Sequence, residues 1–368
     1  MKRNGNIEIM RFVFCWIIIF FHINDKLLDK VNMPFSFLTF SQNGRIGVEF
    51  FFIISGFFLA KSAQSSECKS LSSSTYQFMK KKLFGILPYH IPAFLLTLII
   101  FFVSRSLDLR EAILQFLGTI SNFLLIQEAG FKTTKIMGIE WYISSMLIAM
   151  MILFPLCVKY KESFKRIVCP VISLLLLGYL SHETKKLGGT SDFVFGGIIA
   201  KTIVRAFAEM GIGIFVYELI GKLKKKSLSK TEKLLMTIAE PICYVLPIFY
   251  CFSDFPEWVD YYALLFIALG VLITLSEQSY FSNRFNNKFV YFLGKFSLPL
   301  YLSQKFALYF TEAYIIPSRI RITVSSVCTI TVFIAIIVYV IGNIIKKQSG
   351  GQAPPDYFSS ALRMRNEK

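Results

Sequence analysis

Apolar stretches long enough to form helical membrane spans follow one another along most of the chain, separated by short polar loops. A hydrocarbon core of about 30 Å requires roughly 20 helical residues. Candidate segments lie at 7–24, 47–62, 84–104, 112–126, 139–158, 166–182, 196–220, 234–252, 260–276, 289–312 and 320–345. The pattern predicts an all-α, polytopic membrane helix bundle.

The charge of the loops sets the predicted orientation of these segments. Loops 61–83, 159–166 and 221–233 are rich in lysine, as is typical of cytoplasmic loops. If every segment crossed the membrane, loop 159–166 would lie outside, against its charge. Segment 112–126 is short and carries Gln115, Ser121 and Asn122, so we expect it to lie on or dip into the outer side. The sequence thus predicts about ten transmembrane helices with both termini cytoplasmic.

Composition narrows the class of protein. Hydrophobic residues make up 54% of the 368 residues, which excludes a soluble enzyme with a single anchor. The net charge of +17 falls in the loops, so membrane orientation explains it and nucleic acid is not expected as a partner. The seven cysteines show no metal-ligand or redox spacing, which favours small buried apolar side chains and predicts no metal site. We expect one membrane domain over 1–345 and a disordered cytoplasmic tail over 346–368.

The first apolar segment carries a cation and an imidazole that share one helical face. Ten apolar residues separate Arg11 from His22. A separation of 11 residues is about three turns, with a rise of roughly 16 Å, so both side chains leave the same side of the helix. Ionisable groups within a membrane usually face a protein interior or an aqueous cavity. The plain alternative is that Arg11 snorkels to the cytoplasmic surface while His22 lies among the outer headgroups.

An acidic residue begins the second segment on the outer side. Glu49 follows Gly47 and Val48, and the predicted topology places it at the depth of His22. A carboxylate there would orient the imidazole and raise its basicity. The alternative is an interfacial glutamate solvated by outer water.

Four motifs occur in order along the apolar segments. They are Arg11-x10-His22, GVEFFFIISGF over residues 47–57, WYISSM over 141–146, and LGKFS over 293–297 followed by LYL at 300–302. Together they resemble the acyltransferase-3 family of membrane acyltransferases, and the resemblance covers nearly the whole chain. The chain departs from the family pattern in two motifs. Gln304 stands where the family often has histidine, and Lys82 and Gly85 occupy the arginine positions of an Arg-x-x-Arg-x-x-Pro motif whose proline is Pro88.

The resemblance implies an acyltransferase in the bacterial inner membrane. Such an enzyme moves an acyl group, usually acetyl, from cytoplasmic acyl-CoA to a hydroxyl of an extracytoplasmic glycan or its lipid-linked precursor, as in exopolysaccharide or lipopolysaccharide O-acetylation. The expected partners are therefore acyl-CoA, a glycan acceptor and the lipid bilayer. A transporter or flippase would be expected to show repeated halves or broken helices, and a polysaccharide polymerase a large outer loop. The sequence shows neither repeats nor such a loop, although segment 104–138 is longer than the other outer stretches.

Acyl transfer to a hydroxyl requires a base and stabilisation of the charge that develops on the carbonyl oxygen. His22 is the expected catalytic residue, either as general base or as transient acyl carrier, and Glu49 is its expected partner. Arg11 is expected to bind a phosphate of CoA because guanidinium groups bind phosphate in a fixed fork. The remaining expected donor contacts are Lys80, Lys81, Lys82 and Arg205.

The expected substrate contacts each have a structural alternative. Ser55 would donate a hydrogen bond to the thioester, or Ser55-Gly56 would simply allow close helix packing. Trp141 and Tyr142 would stack on a sugar, or belong to the outer aromatic belt. Glu140 is a second acidic group expected near the acceptor.

Three ionisable residues lie four apart in one apolar segment, at positions 201, 205 and 209. Either Arg205 points into the donor tunnel, or it pairs with Glu209 on its own helix. His90 and His182 lie near segment ends, and surface or headgroup positions are expected for both.

Overall fold

The computed structural model describes residues 3–27, 41–66, 70–131, 134–184, 187–188, 193–282, 284–317 and 323–349. The helices of this part of the chain are α1 (Gly5–Leu27), α2 (Gly47–Gln64), α3 (Leu71–Val103), α4 (Leu109–Gly118), α5 (Ile120–Phe123), α6 (Trp141–Ser163), α7 (Cys169–Thr184), α8 (Lys201–Leu223), α9 (Lys230–Cys251), α10 (Asp260–Ser276), α11 (Lys288–Phe310) and α12 (Val324–Gln348). A short antiparallel ladder pairs β1 (Phe193–Val194) with β2 (Ile199–Ala200) ahead of α8.

Membrane-spanning character is clear for much of the bundle. Seven helical segments of the described residues are long and apolar enough to cross a membrane. One of them, Ile136–Glu183, runs through α6 and α7, which meet at a π-helical turn over Phe164–Val168. The all-α polytopic bundle is therefore confirmed. The number of ten spans and their orientation stay predictions, and "inner" and "outer" below refer to that predicted orientation.

The stretch 112–126 forms no single long helix. Helices α4 and α5 have 10 and 4 residues, which correspond to about 15 and 6 Å and fall short of a membrane core. No residue of α4 is buried, and apolar side chains such as Leu114 and Phe116 are exposed along it. This agrees with a segment that does not span.

Helix α3 begins well before the predicted position. Residues 71–83 were expected within a loop, whereas α3 starts at Leu71 and runs for 33 residues. Ser70 starts it by accepting a hydrogen bond from the Ser73 backbone N–H at 3.2 Å, which satisfies one of the unpaired donors of the first turn. The basic residues 80–82 therefore lie on a helix and point in different directions.

Helices α2 and α8 approach each other at two glycines. A Cβ on Gly56 would lie 1.9 Å from the Met210 carbonyl oxygen, and one on Gly213 would lie 2.0 Å from the carbonyl oxygen of Ile53. Small residues such as glycine allow backbones to approach this closely when membrane helices pack. The Ser55-Gly56 pair therefore packs as its structural alternative expected.

Helices α1 and α11 run side by side in the same direction. A Cβ on Gly294 would meet the Glu8 carboxylate, and the Cys15 thiol donates to the Ser297 carbonyl oxygen at 3.3 Å. Residue numbers therefore increase in the same direction along the two facing helices. This register fixes which residues of α11 lie at the depth of His22.

The cysteines and the C-terminus complete the fold. The described cysteines form no disulfide, and five of them are buried, namely Cys15, Cys157, Cys169, Cys243 and Cys251. Helix α12 continues to Gln348, three residues past the predicted domain boundary at 345. The predicted disordered tail falls largely on residues 350–368, which lie outside the described residues.

Candidate active site

A cavity of about 670 Å³ lies between α1, α2, α3, α6 and α11. Its inner mouth is strongly basic. Five cations and one carboxylate line this end, namely Arg3, Arg11, Lys61, Lys81, Lys82 and Glu8. The surplus of positive charge makes the mouth a site for an anion with several negative charges.

Arg11 lies in the cavity wall with its side chain 28% exposed. Its guanidinium is 3.8 Å from the Glu8 carboxylate and 5.6 Å from the ring of Phe58. Glu8 is also 3.0 Å from Arg3. One carboxylate therefore serves two guanidinium groups, which leaves both with capacity to bind phosphate.

The three consecutive lysines of α3 do not act together. Lys81 and Lys82 line the cavity, whereas Lys80 is exposed and lies 5.9 Å from the rings of both Tyr76 and Phe84. Successive helical residues are about 100° apart, so the run turns away from the mouth at this position. The structure therefore does not bring Lys80 to the cavity with Lys81 and Lys82, and its donor contact stays a prediction. Arg3 and Lys61 take part in the mouth, although the sequence did not single them out.

The cavity wall between the basic mouth and Ile18 carries hydroxyl groups among apolar side chains. The Ser55 hydroxyl lies 3.3 Å from the Tyr142 hydroxyl and 3.3 Å from the Met146 sulfur. Ile18 of α1 and Tyr301 of α11 line the outer end of the cavity, because Ile18 lies beside Gly47 at the start of α2, eight residues outward of Ser55. Ser55 therefore faces the cavity, whereas Gly56 packs against α8. The packing interpretation of this pair applies to Gly56, and Ser55 stays the candidate for a contact with the thioester.

Trp141 and Tyr142 lie within the bundle and not in an outer aromatic belt. Trp141 is 8% exposed, 6.1 Å from the ring of Phe52 and 5.2 Å from the Arg205 guanidinium. Tyr142 meets Ser55, eight residues along α2 from its outer start and thus about 12 Å deeper. The aromatic-belt interpretation is wrong for both residues.

His22 lies one helical turn beyond Ile18, on the same face of α1, and is half-buried. Ile18 lines the cavity, and among the described lining residues His22 is absent. The charges that act on the imidazole are those of Lys305, Asp25 and Lys26. Arg11 thus lines the cavity, whereas His22 lies one turn past Ile18, the last residue of α1 that lines it.

Glu49 does not reach His22. Its carboxylate is 0% exposed and lies 2.5 Å from the Arg205 guanidinium. The register explains the difference, because the next residue, Phe50, stacks on Phe14 of α1 with ring centroids 4.7 Å apart. Phe14 is eight residues from His22, or about 12 Å along the axis. The predicted pairing of Glu49 with His22 is therefore wrong.

Arg205 lies in a buried ion cluster and not in the donor tunnel. It is 1% exposed, with Glu209 on its own helix at 3.2 Å and Glu49 of α2 at 2.5 Å. The pairing with Glu209 is the one that the four-residue spacing indicates. The guanidinium contacts α2, α8 and Trp141, and Arg205 is absent from the residues that line the cavity, so its donor contact stays a prediction that this geometry does not favour.

A family model described as "Acyltransferase domain" matches residues 4–342. The chain belongs to this acyltransferase-3 family. No curated protein and no solved structure matches it significantly. The protein is therefore a membrane acyltransferase, and this membership favours an enzyme over the transporter and polymerase alternatives.

The acyltransferase also buries a histidine and a glutamate on its outer half. His90 Nδ1 lies 2.6 Å from Glu140 Oε1, and both side chains are 0% exposed. His90 Nε2 lies 3.1 Å from the Phe123 carbonyl oxygen of α5. The expected surface position of His90 is wrong, and Glu140 faces His90 and not the cavity. An ionisable residue in an apolar helix is itself the signal that a partner exists.

Proposed function

We propose that this acyltransferase moves an acyl group, most simply acetyl, from cytoplasmic acyl-CoA to a hydroxyl of an extracytoplasmic glycan or its lipid-linked precursor, in the inner membrane of a bacterium. The observation that carries the proposal is the cavity. It is cationic at its inner mouth, largely apolar along its length, and ends one helical turn below His22. That order of chemistry matches the donor, whose phosphates lie at one end and whose thioester lies at the other.

The mouth binds the donor's phosphates in this proposal. Arg11 and Arg3 offer guanidinium forks, while Lys61, Lys81 and Lys82 add point charges. The pantetheine arm then follows α1 toward Ile18. On the way it passes the hydroxyls of Ser55 and Tyr142, which line the cavity wall between the mouth and Ile18.

His22 performs the chemistry from the acceptor's side. As a general base it takes the proton of the acceptor hydroxyl while the new C–O bond forms and the C–S bond of the thioester breaks. CoA thiolate then leaves and is protonated. As a carrier, the imidazole instead attacks the thioester, releases CoA and passes the acyl group to the hydroxyl in a second step. Both routes require the thioester to move past Ile18.

Donor binding provides the first test. We expect Arg11→Ala in lipid nanodiscs to bind CoA about tenfold more weakly than wild type, since one charge-assisted contact is lost. Lys80→Ala is the matched control, because this lysine lies outside the cavity, and its Kd should equal that of wild type. Equal Kd values for Arg11→Ala and wild type by isothermal titration calorimetry would refute the donor site.

Acyl transfer provides the second test. Mass spectrometry of surface glycan from wild-type, deletion and His22→Ala cells should show an acyl mass increment in the wild type alone. Full acylation in His22→Ala cells would remove His22 from the chemistry. A glycan of unchanged mass in the deletion strain would refute the proposed acceptor class.

A further inference from the structure

Two cations flank one aromatic ring at the outer end of the bundle. The Lys305 ammonium of α11 lies 4.9 Å from the centroid of the Tyr309 ring. Arg105, which follows the end of α3, has its guanidinium 6.0 Å from the same ring and 4.3 Å from the ring of Phe101. The Tyr309 hydroxyl donates to the Ile136 carbonyl oxygen at 3.1 Å. The ring is therefore fixed, and it holds both cations in one place.

The register of α1 and α11 brings Lys305 to the depth of His22. Gly294 lies beside Glu8, and Ser297 accepts from Cys15. Extending these two contacts along the parallel helices places His22 level with residues 304 to 308. Lys305 is thus one of the charged residues near the imidazole, together with Asp25 and Lys26.

Both cations lack a carboxylate partner within the part of the chain that the structure describes. No carboxylate of the described residues forms an ion pair with Lys305 or Arg105. Asp25 and Glu312 also act on Lys305, but Asp25 already pairs with Lys26 at 2.9 Å. Lys305 is partly buried and Arg105 is exposed. A cation withdrawn from water without a carboxylate partner gains most from an anionic ligand.

We propose that Lys305 and Arg105 form a subsite for an anionic group of the acceptor, beside His22. The acceptor is then an acidic glycan, with a carboxylate or phosphate close to the hydroxyl that receives the acyl group. This inference rests on the proposed function and adds the substrate class. Lys305 lies one turn beyond Tyr301, which lines the outer end of the cavity, so the subsite is on the acceptor's side of that end.

The test uses the enzyme in nanodiscs, radiolabelled acetyl-CoA, and unacylated surface glycan from the deletion strain. The glycan is offered in three forms: native, carboxyl-reduced, and stripped of phosphate with aqueous hydrogen fluoride. We expect one of the two treatments to raise KM about tenfold, and that treatment identifies the anion as carboxylate or phosphate. Raised salt should increase KM for the native form and for the treated form that keeps the recognised anion, and leave KM for the neutralised form unchanged, because salt screens the exposed part of the interaction.

Variants assign the effect to the two cations. Lys305→Gln and Arg105→Gln should each raise KM for native glycan about tenfold and leave KM for the neutralised form unchanged. Lys305→Arg should retain the wild-type KM, and Lys80→Gln serves as the control lysine. Equal KM values for all three glycan forms, or an equal loss of kcat on every form in Lys305→Gln, would overturn the subsite while the proposed function stands. Absence of label from every glycan form with the wild-type enzyme would overturn both the subsite and the proposed function. If a variant fails to fold, the salt dependence of the wild-type KM tests the subsite instead.

Discussion

Replacing Arg205 with glutamine distinguishes a buried cation that holds the bundle together from one that binds the donor. The guanidinium lies 2.5 Å from Glu49 and 3.2 Å from Glu209, and all three side chains are at most 1% exposed. At an effective dielectric constant of about 20, these attractions are roughly 7 and 5 kcal/mol. Burial costs several kcal/mol for each ion, so the intact cluster is close to balanced. Without Arg205, two carboxylates stay buried side by side, and we expect a loss of about 3–5 kcal/mol in stability.

Glu209→Gln is the matched control because it keeps the shape of the cluster and the pair between Arg205 and Glu49. Two carboxyl groups face one guanidinium, so an isosteric amide at one of them still leaves Arg205 its other partner, and we expect stability within about 1 kcal/mol of wild type. Thermal unfolding in detergent, followed with a thiol-reactive fluorescent dye, measures both variants, since five described cysteines are buried in the folded protein.

The melting temperatures of wild type, Arg205→Gln and Glu209→Gln test whether Arg205 stabilises the fold. If Arg205→Gln melts with wild type, or if Glu209→Gln is the less stable variant, the cluster does not stabilise the fold in the way argued. The Arg205→Gln protein that remains folded in nanodiscs should bind CoA with a Kd within about twofold of wild type. Loss of CoA binding by that folded protein would return Arg205 to the donor site.

Three further predictions test the packing and the cavity. Gly56→Ala should lower the melting temperature, since overpacking costs about 1–3 kcal/mol. Gly178→Ala is the control: a Cβ there would have no atom within 4 Å, so stability should stay the same or rise by up to about 1 kcal/mol. Equal melting temperatures of the two variants would contradict the close approach of α2 and α8. Glu140→Gln should weaken the contact between His90 and the Phe123 carbonyl oxygen and so speed amide hydrogen exchange in α5. Unchanged exchange, measured by mass spectrometry, would show that the His90–Glu140 pair does not stabilise α5. Ser55→Trp should block the cavity between its mouth and Ile18 and abolish acyl transfer while the CoA phosphates still bind at the mouth, so a variant with normal turnover would place the path of the thioester elsewhere.

Features that depend on one helix could be predicted from the sequence. The apolar runs indicated the bundle, and the 11-residue spacing put Arg11 and His22 on one face of α1, which the helix from Gly5 to Leu27 bears out geometrically. The i,i+4 spacing likewise indicated the Arg205–Glu209 pair. Each of these follows from the local repeat of an α-helix, which needs no knowledge of neighbouring elements.

Contacts between helices could not be predicted because they depend on register. Glu49 was expected at the depth of His22 on the assumption that α2 begins where α1 ends. Instead, residues 41–46 form a 3-10 helix alongside the outer part of α1, and a Cβ on Gly44 would lie 2.8 Å from the Phe21 Cβ. Helix α2 therefore starts beside Phe14 and Ile18, and its carboxylate meets α8.

The buried His90 was missed although the sequence contained a signal for it. A titratable ring in an otherwise apolar helix requires a partner if it is not at the surface. Glu140, in the short helix before α6, supplies that partner at 2.6 Å. The chain separation of 50 residues leaves no local spacing that could have matched the two.

Under the proposed function, the positions of Arg11, Ile18 and His22 along α1 explain how one reaction draws its substrates from two sides of a membrane. The cavity has its charges at the inner mouth, and Ile18, the last residue of α1 that lines it, is one turn or about 5.4 Å from His22. In this proposal the cations at the mouth retain the polar phosphates, so only the thin thioester end of the donor has to pass Ile18 and Tyr301. The proposed acceptor needs no route inward because His22 and Lys305 lie beyond that end. A bundle used in this way would move an acyl group across the barrier without moving either the nucleotide or the glycan.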